Sequence, residues 1–325
     1  MDFRFRTKHV ICCQWVILAL ILAVMILVQT SSDVVEKQAQ YKTRNGSTSG
    51  SGNNIRKIRI LCLILASPSG KNKMDAINKT WAKRCHKHLF IYGQTERSME
   101  AESILYVPVL EGRKHLTGKV RHALEFAYRT YKDSFDWILK CDDDTYIIME
   151  NLRYLLSQAD PKNPGYLGFH MKTGQTKRTG YMSGGAGYVI SSQGLDQLIH
   201  GGFENGGCKQ DGGNEDVEIG LCLAKSGVPV LNSLDTDGRE SFHPESLQRH
   251  LYPPHPVWLR QYSWNQVPKF GSECCSKYSI SFHRVSPEQH FLFEHLLYRT
   301  EVYGLQGDNQ DIHPVFDPHL VKPAY

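Results

Sequence analysis

Three aspartates in a row, Asp142-Asp143-Asp144, follow the short apolar run at residues 135–140 (FDWILK) and Cys141. A run that short reads as a buried strand. Adjacent carboxylates repel one another, so a chain that keeps three together must supply something that stabilises them. In open α/β sheets ligands bind just outside the carboxyl ends of the strands, which is where this triplet falls. A hard divalent cation bridging to a diphosphate would neutralise such a cluster. If the chain runs on extended, the carboxylates of Asp142 and Asp144 point the same way. A solvated turn or a helix cap is the competing reading. It weakens because a strand precedes the triplet and Leu152, Leu155 and Leu156 mark a helix after it.

The surroundings fit such a sheet. Residues 58–66 (IRILCLILA) form an apolar run stopped by Ser67-Pro68-Ser69-Gly70, a buried strand entering a loop. Residues 88–92 and 104–109 are strand-like, and Leu116, Val120, Leu124, Ala127 and Tyr131 recur at helical spacing within residues 114–132. Strand–helix alternation predicts an α/β domain with a mostly parallel sheet covered by helices, here over residues 57–325. The later half, rich in Pro, His and aromatic residues, is expected to supply loops and short strands around a site.

Residues 10–28 contain nineteen side chains without a charge. At ~1.5 Å per residue they span about 28 Å, close to a hydrocarbon core of roughly 30 Å. Arg4, Arg6 and Lys8 precede the run, so the expected topology is type II. Residues 1–9 would be a cytoplasmic tail, 10–28 a signal anchor, and the polar residues 29–56 a flexible luminal stem. A cleaved signal peptide fits less well, because Leu27-Val28-Gln29 does not resemble a small-residue cleavage site. The short span suits Golgi or early secretory membranes.

Hydrophobic residues at 41% and charged residues at 22% exclude collagen-like, fully disordered and multi-span classes. The net charge of +5 draws partly on the basic head, so no nucleic-acid partner is expected. Beyond the apolar run lie seven cysteines, Cys62, Cys85, Cys141, Cys208, Cys222, Cys274 and Cys275. No pair has C-x-x-C spacing, so disulfides are favoured over zinc, with one cysteine left over. Asn45 and Asn78 open two glycosylation sequons.

Further motifs carry functional and bland readings together. Tyr181-Met182-Ser183-Gly184-Gly185-Ala186-Gly187 leads into a strand. Its glycines permit close backbone approach to a ligand, or merely a bulged hairpin. Glu215 and Asp216 open a helix that runs through Lys225 and stops at Gly227. There the helix dipole favours ionised carboxylates, either as caps or as a base acting on a sugar hydroxyl. His283 lies in strand-like residues 278–285 and would be a structural imidazole or a partner for Mn²⁺ beside carboxylates. Trp258, Trp264 and Phe242-His243-Pro244 read equally as core or as sugar-facing residues.

In order along the chain, several segments resemble the inverting β-1,3-glycosyltransferases of the secretory pathway, most of all those that build core 1 O-glycans. They are Thr80-Trp81 with Arg84-Cys85, Glu111-Gly112-Arg113 with Lys119, DWILKCDDDTY, YMSGGAGYV, EDVEIG, FHP, Cys274-Cys275-Ser276 and Ser281-Phe282-His283. The resemblance implies a GT-A type fold, Mn²⁺ as cofactor and UDP-galactose as donor. The acceptor it implies is the 3-hydroxyl of GalNAc on Ser or Thr of glycoproteins. It places Asp142, Asp144 and His283 on the metal and makes Asp216 the catalytic base, with no raised pKa required. Lys119, Asp142, Asp143, Tyr181, Gly184, Gly185, Glu215 and Trp258 would then contact the nucleotide sugar or the acceptor. A homodimer is also implied.

Two departures stand out against relatives. Cys141 replaces a small uncharged residue, which singles it out as the odd cysteine and leaves Cys62, Cys85, Cys208, Cys222, Cys274 and Cys275 for disulfides. The segment after FHP holds fewer aromatics, which bears on the acceptor. The alternatives are a donor carrying GlcNAc, glucose or glucuronic acid, and a catalytically inactive chaperone of the same fold.

Overall fold

The computed structural model describes residues 58–94, 102–264 and 268–302. The expected tail, anchor and stem, with Asn45, lie outside the described residues. Among the described residues no helix is long and apolar enough to cross a membrane.

The first strand explains the layering. In β1 (Ile60–Leu65) every residue is buried. Alternate side chains enter opposite faces of the sheet. Ile60, Cys62 and Ile64 join one apolar cluster, and Leu61, Leu63 and Leu65 join the other. Helix α1 (Lys71–Lys79) contributes Met74 and Ile77 to the first cluster. β2 (Lys87–Gln94) and β3 (Ile104–Leu110) follow. Helix α2 (Leu116–Tyr131) places Val120, Ala123, Leu124 and Ala127 in the second cluster. β4 (Trp137–Asp142), β5 (Tyr146–Ile147) and α3 (Met149–Leu156) then surround the acidic triplet in the chain.

The second half has shorter elements. They are β6 (Tyr166–Gly168), β7 (His170–Met171), β8 (Tyr181–Met182), β9 (Tyr188–Ser191), α4 (Ser192–Gln197) and α5 (Glu215–Lys225). β10 (Phe242–His243), α6 (Leu247–Leu251), α7 (Val257–Tyr262), β11 (Ser281–Phe282) and α8 (Pro287–Tyr298) complete the described chain.

The main sheet has six strands in the order β3-β2-β1-β4-β9-β6. β3, β2, β1 and β4 are parallel, but β9 runs antiparallel between β4 and β6. The sheet is therefore mixed but mostly parallel, as expected: β6 runs with β4, and only β9 reverses. The reversal is local: residues 169–187 lead from the carboxyl end of β6 into β9 without the helical crossover that a parallel neighbour needs.

A small sheet ordered β10-β11-β5 stands beside the carboxyl end of β4. The expected strand at 278–285 shrinks to Ser281 and Phe282, enough to pair Phe282 with Tyr146 and Ser281 with Ile147. The Val285 N–H then donates to the Asp144 carbonyl at 2.9 Å. Through this pairing the distant His283 arrives next to the acidic triplet.

Disulfides join Cys62 to Cys85, Cys208 to Cys222 and Cys274 to Cys275. Cys141 is free and buried, and burial pushes its thiol pKa well up. Asn78 sits half-buried on α1, with its Oδ1 2.9 Å from His88 Nε2.

Candidate active site

Asp142 is the last residue of β4, in register with Leu65 of β1. The chain then turns, with the Thr145 N–H donating to the Asp142 carbonyl at 3.3 Å. The extended geometry expected for the triplet is thus replaced by a turn. The turn sends Asp143 to Lys73 Nζ at 2.8 Å on α1. It leaves Asp142 Oδ2 at 4.0 Å and Asp144 Oδ1 at 3.1 Å from His283 Nε2.

Asp142, Asp144 and His283 offer one donor atom each, all within 4.8 Å of one another. His283 Nδ1 lies 3.1 Å from the Pro244 carbonyl, which only accepts. Nδ1 therefore carries a proton, and Nε2–H donates to Asp144 here; on losing that proton Nε2 would offer its lone pair to a metal. Burial opposes charge on Asp144, yet the hydrogen bond from His283 holds its carboxyl below the usual range. For Asp143 burial prevails over Lys73 and raises the pKa. Two carboxylates and an imidazole suit a hard or borderline divalent cation such as Mn²⁺.

The glycine-rich turn before β9 fits against this cluster. The Gly185 carbonyl accepts from the Thr145 hydroxyl at 2.8 Å. A Cβ at Gly185 would stand 2.2 Å from His283 Cε1, so only glycine allows the ring this position. A Cβ at Gly184 would instead meet Glu215 Oε2 at 2.9 Å, Lys140 Nζ at 3.1 Å and Asp216 Cβ at 3.2 Å. Two consecutive residues thus separate the imidazole from the acids that open α5.

Asp216 accepts from the Gly184 N–H at 3.0 Å and from the Val217 N–H at 2.9 Å. Burial raises its pKa despite these bonds, a shift the helix-dipole reading did not foresee. Glu215 is buried and accepts from the Tyr188 hydroxyl and from Lys140 Nζ, both at 2.7 Å.

Lys140 is the residue that sequence reasoning missed. It is 1% exposed and pairs with Tyr188 across β4 and β9. Its ammonium bridges Glu215 and, at 2.9 Å, Asp142. Burial works against its charge, but the two carboxylates raise its pKa. The available signal was a lysine inside an otherwise apolar strand, two residues before the acids. Lys73 was missed as well, because α1 approaches Asp143 only in the folded chain.

Lys119 is sealed, donating to the Ala66 carbonyl at 2.7 Å and to both Glu111 oxygens at 3.1 Å. Tyr181 is 6% exposed and belongs to the core, leaving little surface for a ligand. Trp258 packs half-buried on α7, and Trp264 stacks on His170 with centroids 4.7 Å apart.

Residues 69–289 match the Fringe-like family, and the chain belongs to it. Within that family it groups with the β-1,3-galactosyltransferases. Glycoprotein-N-acetylgalactosamine 3-beta-galactosyltransferase 1 of Xenopus laevis is 36% identical over 281 residues, 82% of this chain and 76% of the relative. Beta-1,3-glucosyltransferase of Mus musculus is 28% identical over 184 residues, 56% of this chain and 36% of that protein. Among solved structures, the catalytic domain of Drosophila β1,4-galactosyltransferase 7 with xylobiose superposes with a TM-score of 0.31 at 15% identity, covering 53% of this chain and 63% of that one.

Proposed function

We propose that the protein transfers galactose from UDP-galactose to the 3-hydroxyl of GalNAc on Ser or Thr of glycoproteins, with inversion at the anomeric carbon. The observation that carries this reading is the gathering of Asp142, Asp144 and His283 within 4.8 Å, with Asp216 one glycine turn away. Asp142, Asp144 and His283 would hold Mn²⁺, which supplies charge neutralisation for the leaving diphosphate.

The other steps belong to the chain itself. Lys140 fixes the Asp142 carboxylate, and the Pro244 carbonyl fixes the His283 tautomer. The Gly184 N–H orients Asp216. Asp216 takes the proton from the acceptor hydroxyl as its oxygen bonds to the anomeric carbon. The bond from that carbon to the diphosphate breaks at the opposite face, and UDP leaves. A pKa raised by burial strengthens Asp216 as the proton acceptor in this step.

The apolar run at 10–28 and the three disulfides support a type II Golgi protein with its catalytic domain in the lumen. The test is a donor panel: purified full-length protein, a GalNAc-α-Ser peptide, and UDP-galactose, UDP-GlcNAc, UDP-glucose or UDP-glucuronic acid, each with Mn²⁺ or EDTA. Metal-dependent β-galactosyl product supports the reading. Transfer from another donor alone, such as the glucose donor suggested by the mouse relative, replaces it. No transfer and no binding of Mn²⁺ or UDP would point to a non-enzymatic role.

A further inference from the structure

A second cluster of metal-ligating side chains lies on β10, α6 and the loop before β11. His243, His250 and Cys274 offer one donor atom each, again all within 4.8 Å of one another. His243 is 0% and His250 1% exposed. The Ser279 hydroxyl donates to the Ser276 carbonyl at 2.7 Å, so it must accept from His243 Nε2 at 3.1 Å. His243 Nδ1 is therefore a bare lone pair, and it has no partner among the described residues. Neither ring nitrogen of His250 has one either.

Leaving a buried polar group unsatisfied costs roughly 1–3 kcal/mol, and three such atoms meet here. Burial also keeps both rings neutral, with His250 pulled down to about 4. Neutral imidazole is the form that binds metal.

Cys274 is joined to Cys275, and a disulfide sulfur is a poor ligand. We propose that His243, His250 and Cys274 form a second metal site, selective for Zn²⁺, that opens when a dithiol reductant cleaves the Cys274–Cys275 bond. Two electrons and two protons pass from the dithiol to the two sulfurs, and the dithiol becomes a disulfide. Zn²⁺ then displaces the proton of the Cys274 thiol and takes water as its fourth ligand. Tetrahedral zinc holds its ligand atoms roughly 3.5 Å apart, so only a limited contraction is required. Two nitrogens and a thiolate suit zinc, whereas the cluster at the acidic triplet is mainly oxygen.

The two clusters are linked through the backbone. The His283 N–H donates to the His243 carbonyl at 3.1 Å, and the His243 ring stacks on Phe282 at 4.6 Å. Zinc on His243 would thus stiffen the strand that carries His283.

Cobalt reports on the site, because a thiolate bound to Co²⁺ gives a charge-transfer absorption. Full-length protein, either oxidised or treated with a dithiol, is titrated with Co²⁺. The reduced protein is expected to show the band at one equivalent, bleached by Zn²⁺, and the oxidised protein no band. Cys274→Ser and His250→Gln should each abolish it, while Asp144→Asn retains it. No band in the reduced wild-type protein overturns the proposal whether or not either variant folds. A band that survives Cys274→Ser overturns it too, assigning the metal to Cys141 or to another opened disulfide.

Discussion

Lys140 and Glu215 meet at 2.7 Å in the interior, joining the core of β4 to the first residue of α5. The same ammonium holds Asp142, so one lysine ties the acids at the strand end to those at the helix start. A charge this deeply buried survives only because both partners compensate it.

Lys140→Met leaves two carboxylates facing each other without a cation. We expect a loss of about 3–5 kcal/mol of stability, read as a lower urea midpoint. A Lys140→Met/Glu215→Leu double variant should recover part of it. An unchanged midpoint in the single variant would show that the bridge is energetically idle.

Gly185→Ala puts a methyl group where the His283 ring stands, 2.2 Å from Cε1. Thermal stability should change modestly while Mn²⁺ affinity in calorimetry falls at least tenfold. Undiminished Mn²⁺ affinity would remove His283 from the metal.

Glu294 accepts from Arg84 at 2.8 and 2.9 Å and faces Lys83 at 2.9 Å. Burial opposes its charge, but these cations hold its pKa at about 2. A carboxylate depressed in the folded state contributes stability present above its unfolded pKa, about 4.3, and lost as pH falls through 2. The Tm of the wild-type protein should therefore drop across that window. Glu294→Gln should lower Tm at neutral pH and flatten the drop. Parallel Tm curves for the two proteins would contradict this.

The Cys62–Cys85 bond closes a loop with a sequence separation of 23 and ties β1 to the segment before β2. Constraining the unfolded chain over such a loop is worth about 3 kcal/mol. Cys62→Ala/Cys85→Ala should lower the denaturant midpoint accordingly. If it does not, the bond contributes little beyond the packing of its neighbours.

What the sequence disclosed and what it concealed divide along physical lines. β1, β4 and α2 were legible because each carries its own periodicity or apolar run, and α5 because acids open it and Gly227 stops it. The antiparallel insertion of β9 was not, since four buried residues in Tyr188–Ser191 look alike in either direction. The acids were conspicuous as an uninterrupted triplet. The turn that separates Asp143 from Asp144 was hidden, because it depends on Lys73 and His283 arriving from distant segments. Lys140 was hidden by its apolar neighbours, and Glu215 looked like a helix cap until its partner came into view. Cys141 as the unpaired thiol and the other six cysteines as disulfides agree with the structure, although spacing alone left the pairing open.

The most direct test is the turnover of Asp216→Asn with saturating UDP-galactose, Mn²⁺ and a GalNAc-peptide. Loss of a positioned base should lower kcat by roughly 10²–10⁴-fold while donor binding stays as in the wild-type protein. Equal kcat in the two proteins would contradict a proton-accepting role for the carboxylate beside Gly184.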